Sequence, residues 1–284
     1  MFFPQKELSQ NNRLLYVIRT RGVIKRNPIT WIAPEVTGNK LCEIKHLISN
    51  NQINVMKYKD FENVISADRM RRYVKACGGN AQKGLTLYRY NLVVSSEMLK
   101  IISYFEVSLR NRIDRTLEPC FGNDWLRDSC LPGGIFDTPR TLGTQMIIDK
   151  AYKSLNDNGE YTPSKLMAKM EFGVWKYMFS SPQYLATGQK LLSVFSAKPR
   201  STSSLNIDNK YIFNELDSIN KIRNRIAHHE PICFVTGLPV KSVMYVQSEY
   251  KRIMKLFKWM DIDGPGLLYG INHIDAACQK ILNL

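Results

Sequence analysis

The 284-residue chain is poor in the residues from which metal and disulfide chemistry are built. Its six cysteines, at 42, 77, 120, 130, 233 and 278, include no Cys-x-x-Cys pair. That removes the spacing of a zinc knuckle and of a disulfide framework, and the thiols read as reduced and partly buried. Histidine is scarcer still, four in all, with no His-Glu-x-x-His pattern; neither a metal nor a cofactor is expected. Long apolar runs are also missing. The best, such as Leu14–Ile18, fall far short of the roughly 18 residues of a membrane span, and the first residues lack a basic segment followed by an apolar one. A cytoplasmic protein with no membrane partner is the expectation. Acidic residues are the last shortage: 25 Asp and Glu against 40 Lys and Arg leave a net charge of +15. That balance favours a polyanion such as RNA or DNA, through release of its counterions.

What is present is mostly helical periodicity. Residues 1–45 mix basic, β-branched and aromatic residues and break at Pro28 and Pro34; they read as an irregular N-terminal extension, a short hairpin or an appendage. A short helical pattern follows over 42–50. Residues 46–284 read as a separate, all-α domain. Within it, 60–76 is a helix with Ser66 or Asp68 as an internal cap, stopped by Gly78–Gly79. The Gly79-x4-Gly84 spacing is half of a phosphate-binding loop, but Leu85 stands where the lysine should follow, and the motif is rejected. The longest pattern, 88–117, repeats Met98, Ile102, Phe105, Leu109, Ile113 and Leu117 at three- and four-residue steps, with Pro119 and Gly122 as its stop. Further helices are expected over 141–157, after Pro163 with an interruption at Gly173, from Asp208 to the paired histidines, over 241–260 and over 271–283. The class is mainly α.

The densest polar cluster lies at the end of the helix after Asp208, where Arg223, Asn224, Arg225, His228, His229 and Glu230 precede Pro231. A residue before proline avoids the helical region, so the helix is expected to finish near His229 or Glu230. A helix C-terminus suits a histidine that exchanges protons. Asn224 lies one turn before His228 on the same face, whereas Arg223, five residues earlier, is about 140° around the helix. A long side chain or a distorted last turn must close that gap. Arginine, amide and histidine suffice to cleave RNA without a metal: the histidine moves protons at the 2′-hydroxyl or 5′-oxygen, and the arginine neutralises charge on the phosphorane. One histidine is poorly suited to be both base and acid. A second copy of the segment across a two-fold axis would supply the partner. A plainer reading is also open, in which the histidine only complements the helix dipole and the arginines form a solvated face.

The segment RNRIAHHEPI (223–232) resembles the Arg-x4–6-His signature of HEPN ribonucleases, in the form found in the Abi-like (abortive infection, AbiD/AbiF) proteins of bacteria. The block LYRYNLVVSSEMLKIISYFEVSLRNRID (87–114) and the Phe-Gly-x-Trp segment in 170–179 are similar to that family too, so that the likeness covers roughly 60–284. It implies a HEPN-like helical bundle with additional helices, and RNA cleavage in phage defence or toxin-like growth arrest. Arg223 and His228 then become the catalytic pair and Asn224 the polar residue beside the arginine; Arg225, His229 and Glu230 are possible supporting residues. Arg110–Asn111 begins a second copy, but Arg115 and Thr116 stand where its histidine should be. Arg110 and Asn111 would brace the helix pairing or bind RNA, and one complete motif per chain points to a homodimer. A non-catalytic scaffold for a structured RNA partner is the alternative. Tyr88, Tyr90 and Trp175 are considered as base-stacking platforms, with core packing the better role for Trp175.

Overall fold

The structure, a computed structural model, describes residues 56–284 and, ahead of them, two short strands. The chain divides into two compact units, 1–56 and 57–284. In the first, β1 (Glu7–Leu8) pairs antiparallel with β2 (Leu14–Leu15) in the register Glu7 to Leu15. The helical pattern at 42–50 lies outside the described residues.

The second unit is mainly α. Helices α1 (Tyr58–Ile65) and α2 (Ala67–Ala76) are separated by Ser66, which takes a left-handed backbone, φ 89°, and caps α2 by accepting the Arg69 N–H on its hydroxyl at 3.3 Å. The expected internal cap therefore breaks the helix in two. Asn80 caps α3 (Ala81–Phe121), a rod of 41 residues that spans about 60 Å. It runs past Pro119 and ends at Gly122, whose φ of 87° suits glycine. Gly84 lies in α3 against α2: a Cβ there would stand 2.9 Å from the Val74 side chain and 3.0 Å from its backbone. The glycine read as part of a rejected phosphate loop is thus a packing residue.

The remaining helices wrap this rod. They are α4 (Trp125–Asp128), α5 (Leu142–Asp157), α6 (Pro163–Lys169), α7 (Phe172–Tyr177), α8 (Ser181–Ala186), a 3₁₀ turn (Lys190–Phe195), α9 (Asn209–Ala227), α10 (Met244–Trp259), α11 (Gly264–Leu267) and α12 (Ile274–Leu282). The break expected at Gly173 falls instead at Met170 and Glu171, both extended, with Gly173 inside α7. Met170 and Phe172, two residues apart, are both buried, and a continuous helix would point them about 200° apart. The rod packs on α2, α7, α9, α10, α12 and the 3₁₀ turn. Its buried stripe includes Met98, Ile102, Phe105, Leu109, Ile113 and Leu117, and Phe105 meets the Phe172 ring at 6.2 Å and the Phe257 ring at 5.4 Å. Among the described residues no helix is long and apolar enough to cross a membrane.

Candidate active site at the end of helix α9

The polar segment is presented by α9. Asp208 opens this helix, its carboxylate accepting the Tyr211 N–H at 2.8 Å, and Ile212, Leu216, Ile219, Ile222 and Ile226 bury one stripe of it. Ion pairs fix its flanks. Asp217 accepts from the buried Lys176 of α7 at 2.9 Å; burial alone would raise this carboxyl, but hydrogen bonds from Lys221 and Lys176 outweigh it and hold Asp217 below the ordinary carboxylate range. On the other side Glu215 meets Arg252 at 2.7 Å and Lys255 at 2.5 Å, and the Ser218 hydroxyl donates to Glu249 at 2.9 Å. With its apolar stripe and two polar flanks engaged, α9 has little freedom to roll.

The helix ends in a left-handed turn. His228 N–H donates to the Asn224 carbonyl at 2.9 Å, His229 N–H to Ile226 at 3.0 Å and Glu230 N–H to Arg225 at 2.7 Å. These are the bonds of a Schellman closure, in which the residue after the cap is left-handed and usually glycine; here it is His229, with φ 56°. The regular helix stops at Ala227 with His228 as its cap, earlier than Pro231 alone suggested, because the turn intervenes before the proline. Arg225 and Glu230 serve this turn: the Arg225 Nε lies 3.3 Å from the Glu230 carboxylate, in poor alignment for a hydrogen bond, while its Nη2 donates to the Pro231 carbonyl at 2.5 Å. The guanidinium also lies 5.1 Å from the centre of the Tyr245 ring.

Side chains from α2 and α3 clamp the strand-like segment that follows. Arg69 donates to the His229 carbonyl at 3.0 Å, and Arg72 to the carbonyls of Val235 and Leu238 at 3.0 and 2.8 Å. Asn91, only 2% exposed, accepts the Ile232 N–H at 2.9 Å. The Phe234 ring packs against Tyr73 at 5.0 Å, tilted by 60°, and lies beneath Arg72. The sequence alone picks out none of Arg69, Arg72, Tyr73, Asn91 and Phe234, since a pairing between residues so distant in the chain leaves no local signature.

On the outward face, Arg223 folds back and its Nη1 donates to the Asn224 side-chain oxygen at 3.4 Å. Asn224 lies one turn before His228. Arg223 and Asn224 are half-buried, whereas His228 and His229 are exposed. Glu106 of α3, missed in the sequence, is half-buried. Burial pushes its carboxyl above the ordinary range, the nearby Arg223 and Arg110 guanidinium groups pull it part of the way back, and Glu171 adds to the rise. Arg110 is one turn beyond Glu106 on α3. Asn111 is half-buried. Arg115 is exposed, and Thr116 donates its hydroxyl to the Arg112 carbonyl at 2.8 Å.

Tyr88 is no stacking platform: it is buried, with its ring edge-on to Phe61 and Tyr73. Trp175 is fully buried, with its indole Nε1 unpartnered. Among the described residues no three His, Cys, Asp or Glu side chains gather to hold a metal ion. No curated protein and no solved structure shows significant similarity to the chain. The model of the family described as Abi-like protein matches residues 47–233, a span that takes in α1 to α9 and closes just beyond the paired histidines. By that match the chain belongs to the Abi-like protein family.

Proposed function

We propose that the protein is a metal-independent endoribonuclease of the HEPN type, acting in bacterial phage defence by abortive infection or as a toxin. The observation that carries this reading is the hydrogen bond from Arg223 to the Asn224 side chain, one turn ahead of the exposed His228 at the end of an anchored helix. His228 takes the proton of the RNA 2′-hydroxyl as that oxygen bonds to phosphorus; the bond from phosphorus to the 5′-oxygen breaks, and a proton returns to that oxygen. Arg223 neutralises the charge that grows on the phosphorane. The proton donor is a second copy of the segment in a homodimer, so the site is composite. Membership of the Abi-like family and the net charge of +15 support RNA as the partner.

The same charge also suits an RNA-binding scaffold without turnover. Purified protein incubated with RNA in EDTA separates the two. Cleavage that falls by at least about 100-fold in both Arg223→Ala and His228→Ala, with helicity unchanged, supports the enzyme. Unchanged cleavage in both variants removes the site, and tight binding with no cleavage by the native chain favours the scaffold.

A further inference from the structure

Opposite its buried isoleucine and leucine stripe, α9 carries Lys210, Phe213, Asp217, Lys221, Asn224 and His228, which recur at three- and four-residue steps along one face. Lys210, Lys221 and His228 are exposed, and Phe213, Asp217 and Asn224 are half-buried. One end of this stripe is the candidate active site. Towards the other, Tyr177 of α7 lies against Phe213 with ring centres 5.7 Å apart. The buried Lys176 holds both rings: its Nζ lies 4.4 Å from the centre of Tyr177 and 5.2 Å from that of Phe213, and it donates to Asp217 at 2.9 Å. Asp217 also pairs with Lys221 at 2.9 Å. One carboxylate thus meets two cations, and the stripe keeps a net positive charge. Tyr177 remains 48% exposed, an aromatic surface left in water beside a cation fixed in the core.

We propose that this stripe is a track for single-stranded RNA leading away from His228, with Tyr177 as the platform on which one base stacks and Lys221 as a phosphate contact between platform and site. The proposal rests on RNA being the partner, as above, but not on turnover. Every base has a face that stacks on an aromatic ring, and cations interleaved with such rings follow the backbone, so the track accepts a strand without reading its sequence. From Phe213 to His228 the helix rises about 22 Å. A stacked strand at about 3.4 Å per nucleotide covers that distance in about six nucleotides, and an extended one in fewer. A ring at this remove favours strands longer than the scissile step needs. It also favours single strands, because the bases of a duplex are already stacked and paired.

The test compares a trinucleotide and a decanucleotide of single-stranded RNA, both 2′-O-methylated throughout, so that the phosphates remain and the hydroxyl needed for cleavage is absent. Tyr177→Ala should weaken binding of the decanucleotide by about 5- to 150-fold and leave the trinucleotide unchanged. Tyr177→Phe keeps the ring and should bind as the native chain does. Abasic residues at both ends of the decanucleotide should cost the native chain affinity and cost Tyr177→Ala little, since the ring they would have met is already gone. Lys221→Gln should reduce the salt slope by about one. Undiminished binding by a folded Tyr177→Ala, an equal loss on both probes, the same abasic cost in both proteins, or an unchanged salt slope in Lys221→Gln overturns the track. A native chain that binds the decanucleotide without needing Tyr177 removes the platform and leaves RNA as the partner, whereas one that binds neither probe removes both. Because the probes cannot be cut, a chain without nuclease activity that still shows the Tyr177 dependence upholds the track while removing the enzyme.

Discussion

His229 occupies a backbone conformation that costs an L-residue about 1–2 kcal/mol, at a position where glycine would close the helix without strain. His229→Gly should therefore raise stability by about 1 kcal/mol, read as a higher midpoint in chemical denaturation at unchanged slope. A β-branched His229→Val should lower it. If the glycine variant is less stable, the imidazole makes contacts that outweigh the strain. Several neighbouring residues were legible by type and not by task. Arg225 and Glu230 belong to the polar cluster by composition, yet the turn occupies both. Glu106 went unread because its significance comes from Arg223 on another helix, whereas Arg223 and His228 were visible as a short local pattern.

The helices obey local signals wherever those signals agree with burial. Asp208 as a cap, Ser66 as an internal break and the stripe from Met98 to Leu117 were all readable, because capping and a 3.6-residue period act within a few residues of one another. Pro119 and Gly173 misled: each marks helix breaks on average, and neither breaks one here. The break between α6 and α7 instead follows from sinking Met170 and Phe172 into the core, a demand set by the rest of the molecule. Two helical glycines separate these influences. Gly173 has open space where a Cβ would go, so Gly173→Ala should stabilise by roughly 0.5–1 kcal/mol through helix propensity. Gly84→Ala should destabilise despite the same gain, because its Cβ meets Val74 backbone 3.0 Å away in α2. Thermal unfolding of the two variants reads both signs; a stabilised Gly84→Ala would mean that α2 and α3 separate at little cost.

For the molecule as a whole, the composite reading predicts an outcome that single variants do not give. Arg223→Ala and His228→Ala chains, denatured together and refolded, should give nuclease activity that departs from the mean of the two variants, since a mixed dimer carries one lesion of each kind in one composite site. Activity equal to that mean would assign each site to one chain. The net charge of +15 was open to inspection from the start. What composition could not supply was where those charges act: arginines of α3 and α9 both pull the Glu106 carboxyl downward against its burial.

The segment from His229 to Leu238 has almost no regular secondary structure, yet Arg69, Arg72 and Asn91 of α2 and α3 hold it by four hydrogen bonds. Thermodynamically it belongs to the core. Lifting it strands the buried Asn91 amide and the Ile232 N–H together, a penalty of about 1–3 kcal/mol for each unsatisfied group. The cap that carries His228 is thus coupled to the first helices of the domain: whatever grips or loosens α2 changes the free energy of that cap, although the two lie some 160 residues apart in the chain.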